Sequence, residues 1–116
     1  MTSQRIICKS EELLEKGKGV RFELPELGER VTAFAVRFNG VAYAYINQCA
    51  HLPVELDWNE GDFFTRELDY LICATHGAQY EPHTGHCVLG PCQGKRLRPL
   101  MVDEHNGVIS ITLNES

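Results

Sequence analysis

Two Asn-Gly dipeptides constrain the fold of this chain more than any other feature. Asn39-Gly40 separates VTAFAVRF at 31–38 from VAYAYI at 41–46, two runs rich in β-branched and aromatic residues. Asn106-Gly107 lies between two further runs that are predicted as strands, LRPLMV at 97–102 and VISITL at 108–113. Asn and Gly both tolerate the positive φ that the two central residues of a type I′ turn require. The sequence therefore predicts two tight antiparallel hairpins.

Short strands account for most of the remaining sequence. In addition to 31–38 and 41–46, strands are predicted at 5–8, 20–24, 68–73, 78–82, 97–102 and 108–113. Ser10 is expected to cap a short helical turn that ends at Gly17. Many short strands with tight turns and little helix predict an all-β fold, either an antiparallel sandwich or a small barrel.

Length and charge narrow the possible functions. The 116 residues fit a single domain, 1–116, with no room for a second. The net charge is −5 and the 11 basic residues are scattered along the chain, which argues against nucleic acid and anionic membranes as partners. An acidic chain of this kind is expected to dock weakly onto a basic patch of another protein.

The amino-terminal sequence and the cysteines point to a cytoplasmic location. The first 19 residues contain no apolar run of signal-peptide length. The five cysteines are an odd number, which in a reducing compartment indicates metal binding or buried thiols rather than a disulfide framework. Cys8, in the first predicted strand, is expected to be buried.

Two Cys/His pairs are the candidate functional residues. Cys49 and His51 follow one predicted strand, and Cys73 and His76 follow another. A loop at a strand end lets ligand side chains converge from a rigid sheet. Two thiolates with two imidazoles form a donor set that suits either zinc or an iron–sulfur cluster.

The pattern Cys-x-His followed by Cys-x-x-His-Gly resembles the ligand signature of Rieske proteins. Tyr80 after the second motif, the Thr84-Gly85 turn and Gly90-Pro91 at the position of the family's proline loop extend the likeness over most of the chain. The resemblance implies a Rieske-like antiparallel β-sandwich with a small cluster-binding subdomain at about 47–94. It favours a [2Fe–2S] cluster over zinc, because common zinc folds pair their ligands within one short segment.

The resemblance also implies the role of each ligand. Cys49 and Cys73 would bind one iron, and His51 and His76 would bind the other, more exposed iron. Neutral imidazoles in place of two thiolates make reduction easier, so such centres lie at about −150 to +300 mV. Because Ala78 stands where high-potential relatives carry Ser, we expect a potential in the lower half of that range.

These ligands predict a one-electron carrier rather than an enzyme. The sequence has no phosphate-binding glycine loop and no nucleophile elbow, and a mononuclear iron site of the oxygenase type would need a second, larger domain. We expect a ferredoxin that passes electrons from a reductase to an oxygenase or similar enzyme. The alternatives are a small non-catalytic subunit of a larger reductase, or a redox or iron sensor.

Other cysteines and aromatic residues allow further hypotheses. Cys87 and Cys92, with neighbouring histidines, are expected to form neither a second metal site nor a disulfide in a reducing compartment. The segment 52–72 is longer than in most Rieske proteins, and its Asp57-Trp58 and Phe63-Phe64 either pack a mini-core or form a docking surface. We favour packing, because aromatic side chains bury readily.

Overall fold

The computed structural model describes residues 2–29, 31–49, 54–57, 60–74, 77–90 and 94–114. Within these ranges the strands are β1 Thr2–Lys9, β2 Val20–Glu23, β3 Thr32–Phe38, β4 Val41–Ile46, β5 Leu71–Ile72, β6 Gln79–Tyr80, β7 Cys87–Leu89, β8 Pro99–His105 and β9 Val108–Asn114. Two 3₁₀ turns span Ser10–Glu12 and Pro25–Leu27. The all-β prediction is confirmed. No helix in the described ranges is long and apolar enough to cross a bilayer.

Six strands form one antiparallel sheet in the order β1-β9-β8-β4-β3-β2. Its two main hairpins turn at the Asn-Gly dipeptides. Asn39 and Gly40 have φ angles of 53° and 80°, and Asn106 and Gly107 have φ angles of 53° and 76°. Both central residues of each turn thus lie in the left-handed region, as a type I′ turn requires. The two hairpins predicted from these dipeptides are confirmed.

Side chains draw the edges of this sheet together. Arg5 of β1 donates a hydrogen bond to the carbonyl oxygen of Glu23 in β2, and lies 3.5 Å from the carboxylate of Glu26. Arg37 of β3 donates to carbonyl groups that follow β1, and its Nη2 lies 2.8 Å from Oε2 of Glu104 in β8. The sheet therefore curls toward a barrel, which the two arginines hold closed.

Strand β3 separates two hydrophobic clusters. Successive side chains of a strand point to opposite faces. Ala33 and Ala35 lie in the cluster inside the curled sheet, whereas Phe34 and Val36 lie in a second cluster on its outer face. All four are fully buried, which explains why β3 is a continuous apolar run rather than an alternating one.

A smaller sheet covers the outer face, in the order β5-β6-β7. The ring of Phe63 stacks on Phe34 at a centroid distance of 3.9 Å, and Phe64 lies 6.2 Å from Phe38. The predicted packing role of Phe63-Phe64 is confirmed, with the difference that their partners belong to β3 rather than to a separate mini-core. Trp58 lies outside the described residues.

The predicted amino-terminal turn is wrong in its bounds. Ser10 lies inside the 3₁₀ turn, and Lys9 occupies the capping position. The backbone N–H of Lys9 donates to the Glu12 carboxylate at 2.9 Å, so the acid rather than Ser10 caps the turn. The turn ends at Glu12 rather than at Gly17. The next residue, Leu13, has an extended backbone and a buried side chain.

The smaller sheet also differs from prediction. The strand predicted at 68–73 is reduced to Leu71–Ile72, and the strand Cys87–Leu89 was not predicted. A bulge in the pairing of β6 with β7 limits the regular ladder to a few residues. Cys8 in β1 is only half-buried, although burial raises the pKa of its thiol.

Candidate functional site

Two of the predicted ligands meet in one buried cluster. Cys49 follows β4 and Cys73 follows β5, and both side chains belong to the hydrophobic cluster on the outer face of β3. They are 3% and 0% exposed. Tyr80 lies in the same cluster. The other two predicted ligands, His51 and His76, lie outside the described residues.

The loop that begins at Cys49 has a fixed base. The backbone N–H of Cys49 donates to the carbonyl oxygen of Val54 at 2.7 Å, so the chain returns to the cysteine within five residues. Just before the loop, the N–H of Ile46 donates to the carbonyl oxygen of Arg98 at 2.9 Å. The position of the first thiol is thus set by backbone hydrogen bonds on both sides.

The loop after Cys73 is a tight turn with a glycine at its return. The N–H of Gly77 donates to the carbonyl oxygen of Cys73 at 2.7 Å, and the N–H of Cys73 donates to the carbonyl oxygen of Ala78 at 2.8 Å. Gly77 has a φ of 73°, a conformation that L side chains rarely adopt. This glycine therefore allows the chain to reverse immediately after the second thiol.

A phenol contacts one of the thiols. The hydroxyl oxygen of Tyr80 lies 3.3 Å from Sγ of Cys49, in a buried setting. Tyr80 is held in β6 by its pairing with Leu71 of β5, the strand that leads to Cys73. A phenolic O–H can donate to a thiolate, which stabilises negative charge on that sulfur. The phenol of Tyr80 is therefore placed to act on the sulfur of a predicted ligand.

The backbone of one residue, Leu56, joins the two cysteine loops. The N–H of Leu56 donates to Oδ1 of Asn47 at 2.9 Å, and the carbonyl oxygen of Leu56 accepts from the N–H of Ala74 at 3.0 Å. Asn47 precedes the first loop, and Ala74 lies in the second. Leu56 thereby links the two loops through its backbone.

A buried carboxylate supports this link. The side chain of Asp57 is fully buried, and its oxygens accept hydrogen bonds from Nδ2 of Asn47 at 3.0 Å and from the N–H of Gly61 at 2.9 Å. Nε of Arg21 in β2 lies 3.5 Å from the same carboxylate. We refer to Asn47, Leu56 and Asp57 as the loop clamp. Sequence reasoning missed it, because residues ten positions apart in an irregular segment produce no periodic pattern.

Gly90 packs closely against the second loop. A Cβ at Gly90 would lie 2.9 Å from Cα of Ala78, and the φ of Gly90 is 100°. Ala78 itself is fully buried. Only glycine therefore lets the backbone after β7 approach this loop. Pro91, the rest of the predicted proline loop, lies outside the described residues.

The remaining cysteine and histidine residues form no second site in the described ranges. Cys87 is disulfide-bonded, contrary to the expectation of a thiol, which rested only on a presumed reducing compartment. Cys92 lies outside the described residues. His83 and His86 are exposed, and Nε2 of His83 lies 3.6 Å from Glu81. No three His, Cys, Asp or Glu side chains among the described residues are placed to hold a metal ion.

The described part of the site fits an iron–sulfur cluster on chemical grounds. It contributes two sulfur donors, Cys49 and Cys73, whose surrounding apolar side chains leave them 3% and 0% exposed. Thiolates are the sulfur ligands that such clusters use, and hydrogen bonds to sulfur set their potential. The phenol of Tyr80, whose oxygen lies 3.3 Å from Sγ of Cys49, is placed to donate such a hydrogen bond to a thiolate.

A comparison with protein families gives one match. The model of the family described as "Rieske [2Fe-2S] domain" matches residues 3–109. A search of curated proteins finds no match to this chain.

Several solved structures share the fold. The ferredoxin of carbazole 1,9a-dioxygenase from Nocardioides aromaticivorans IC177 has a TM-score of 0.73 and 21% identity, over 94% of this chain and 96% of that one. The Sphingomonas yanoikuyae B1 ferredoxin has a TM-score of 0.75 and 17% identity, over 97% of this chain and 100% of that one. A complex of reduced oxygenase and oxidized ferredoxin in carbazole 1,9a-dioxygenase contains a chain with a TM-score of 0.76 and 19% identity, over 97% of this chain and 95% of that one.

Proposed function

Because the chain belongs to the Rieske [2Fe–2S] domain family, we propose that it binds its [2Fe–2S] cluster through Cys49, His51, Cys73 and His76. The chain is an electron carrier, not an enzyme, and the bound cluster supplies its one-electron chemistry. The observation that supports this ligand set is the convergence of both cysteines in one buried cluster, with Tyr80 3.3 Å from the sulfur of Cys49.

The described residues have three roles in binding the [2Fe–2S] cluster. Cys49 and Cys73 provide sulfur donors from two loops whose bases are fixed by hydrogen bonds. The apolar cluster around them excludes water. Tyr80 donates to the sulfur of Cys49 and so stabilises the more negative, reduced state. His51 and His76 complete the proposed ligand set as nitrogen donors on the second iron.

The proposed electron acceptor is an oxygenase. Ferredoxins of dioxygenase systems share the fold over nearly their whole length, and one of them is found with its oxygenase. In the proposed role the chain takes an electron from a reductase and delivers it to such an enzyme. Purified reduced protein should therefore reoxidise when a Rieske oxygenase is added under anaerobic conditions.

A spectroscopic comparison of cysteine variants tests the ligand set. The purified chain should be red-brown and, when reduced, give the low-average-g electron paramagnetic resonance signal of mixed His/Cys ligation. Cys73→Ala should abolish the colour and the signal. Cys8→Ala is the matched control. Cys8 lies half-buried on β1, outside the hydrophobic core that contains Cys73, so its replacement should leave the colour and the signal unchanged.

The ligand assignment fails if Cys73→Ala retains the wild-type signal. The proposal as a whole fails if protein reconstituted anaerobically with iron and sulfide contains neither after desalting. His51→Ala and His76→Ala address the nitrogen donors in the same assay, and each should remove the mixed-ligand signature.

A further inference from the structure

Positive charge is concentrated in one segment of an acidic chain. Between 82 and 102 there is no Asp or Glu, and the charged residues are Lys95, Arg96 and Arg98. Removing these three from the 11 basic residues leaves eight against 16 acidic ones, so the rest of the chain carries a net charge of −8. The overall charge of −5 therefore conceals a local excess of the opposite sign.

This segment lies beside the first cysteine loop. Lys95, Arg96 and Arg98 line an open cleft of about 350 Å³ together with Gln48 and Cys49. All three cations are exposed. We refer to them as the basic edge. Exposed positive charges next to Cys49 attract anionic groups, and repel cationic groups, that approach this side of the site.

The basic edge is not neutralised within the described residues. Other arginines, such as Arg5 and Arg37, have a carboxylate oxygen within 3.5 Å. For Lys95, Arg96 and Arg98, no carboxylate of a described residue lies within 4.0 Å. Their charge thus remains available to a partner.

Backbone hydrogen bonds fix the segment in place. The carbonyl oxygen of Lys95 accepts from Cys87 in β7 at 2.9 Å, and that of Arg98 accepts from Ile46 in β4 at 2.9 Å. Between them Leu97 is fully buried. The cations therefore project from an anchored backbone, which lowers the entropy cost of binding a partner.

An apolar strip adjoins the basic edge. Val88 and Leu89 are 37% and 52% exposed, on strand β7 at the edge of the three-stranded sheet. Lys95 is hydrogen-bonded to the first residue of that strand. Apolar contact area with charged residues around it is the usual composition of a transient protein interface.

We propose that the basic edge, with Val88 and Leu89, is the docking site for a redox partner whose contact face carries Asp and Glu side chains. The proposal rests on the proposed function, because it assumes a cluster bound at Cys49. It reverses the expectation from net charge that this protein docks onto a basic patch. The sign of the local charge next to the site, rather than that of the whole chain, decides the final approach of a partner.

Two small redox probes of opposite charge test the sign of the electrostatic potential near the site, and the test does not require the partner to be known. The reduced holoprotein donates one electron to the trianion hexacyanoferrate(III), which becomes hexacyanoferrate(II), or to the trication tris(phenanthroline)cobalt(III), which becomes the cobalt(II) complex. Rates are measured by stopped flow from about 0.01 M ionic strength upward, where the Debye length begins near 30 Å. The anion rate should fall with salt and the cation rate should rise, although the chain is acidic overall.

Charge reversal assigns the effect to the basic edge. Lys95→Glu and Arg98→Glu should each lower the anion rate at low salt by about threefold or more and flatten its salt dependence. Lys9→Glu is the matched control. It makes the same charge change at the end of β1, where Lys9 pairs with Val108 of β9, the residue that also pairs with His105 at the far end of β8 from Arg98, and it should have little effect. Lys95→Gln and Arg98→Gln serve if a reversal variant fails to fold.

The outcomes separate the two proposals. Unchanged cluster spectra with a selective loss of the anion rate support the basic edge as the docking site. Equal effects of Lys95→Glu and Lys9→Glu, or a wild-type anion rate that rises with salt, overturn it while the proposed function stands. Wild-type protein without a cluster spectrum refutes the proposed function, and the docking proposal with it.

Discussion

Tyr45 and Tyr80 are both buried, yet their hydroxyls serve different groups. Tyr45 donates to the carbonyl oxygen of Pro82 at 2.7 Å, and burial raises the pKa of its phenol. Tyr80 instead contacts Sγ of Cys49 at 3.3 Å. The first hydrogen bond satisfies a backbone group. The second acts on a sulfur whose charge changes when the proposed cluster is reduced.

Tyr80→Phe should lower the midpoint potential. A hydrogen bond of about 0.5–1.5 kcal/mol that favours the reduced state corresponds to about 20–60 mV for one electron. Tyr45→Phe is the control, because it removes a buried phenol hydroxyl that does not face sulfur. It should reduce stability by about 1 kcal/mol and leave the potential unchanged. Protein-film voltammetry measures the midpoint potentials of the two variants. Equal shifts in potential would contradict the assigned role of Tyr80.

The sequence predicts individual site residues where a motif is local. Cys49 and Cys73 are predicted because each shares a short motif with a histidine, and Tyr80 is singled out because it lies near the second motif. Asn47 and Asp57 were not identified, since their contact depends on the path of an irregular loop. Whether a polar residue is buried cannot be read from its identity alone.

At the scale of elements, the loop clamp connects segments that share no regular pairing. It joins the start of the first cysteine loop, the segment around Leu56 and the second cysteine loop. Arg21 connects the clamp to β2. Removing a buried partner from such a network leaves the others unsatisfied, which costs more than the hydrogen bond itself.

Asp57→Ala should lower the free energy of unfolding by about 3 kcal/mol and accelerate loss of the cluster. The control is Glu60→Ala, which removes another carboxylate that contacts Arg21 but is 80% exposed. It should cost less than about 1 kcal/mol. Urea unfolding and the decay of visible absorbance on exposure to chelator measure the two effects. If both variants lose cluster at the same rate, the clamp does not position the cysteine loops.

The sequence predicts an element correctly where the signal lies in neighbouring residues. It fails where the element depends on pairing with distant strands. The two Asn-Gly hairpins depend on two residues each, so the sequence places them correctly. Strand β5 lies within the predicted strand at 68–73 but is only two residues long, and β7, with three residues, is not recognisable from its own residues; both pair with β6. The boundary of a strand this short is set by its neighbours rather than by propensity.

At the scale of the whole molecule, Arg37 holds the curled sheet closed. It donates to carbonyl groups after β1 and pairs with Glu104 of β8. The hydrogen bonds from the Arg37 guanidinium lower the pKa of Glu104. A carboxylate with a lowered folded-state pKa stabilises the fold above its unfolded pKa of about 4.3, and this stabilisation is lost as pH falls through the folded value.

Glu104→Gln should therefore destabilise the protein by about 1 kcal/mol near neutral pH, since the pair is partly exposed. The difference from wild type should shrink as pH falls below about 4.3 and vanish once Glu104 is protonated. Urea unfolding at a series of pH values measures it. A difference that stays constant with pH would show that Gln disturbs packing rather than an ionic contact.

The sequence contains the net charge of the molecule and its acid-free segment, but not the position of that segment beside the first cysteine loop. Most of the basic residues are scattered along the chain, but Lys95, Arg96 and Arg98 are close in sequence, and the fold places them at one cleft beside Cys49. Acidic residues in other segments pair with Arg5, Arg21 and Arg37. Which cations remain without a counterion depends on tertiary contacts that no local pattern encodes.

The anchoring of 95–98 through main-chain groups has an evolutionary consequence. Lys95 and Arg98 are held by their carbonyl oxygens, so their side chains can be exchanged without disturbing the bonds to β7 and β4. Substitution there would alter which protein is recognised while sparing the metal-binding architecture. Descendants of one ancestral gene can thus acquire new recipients for the electron by a few surface changes.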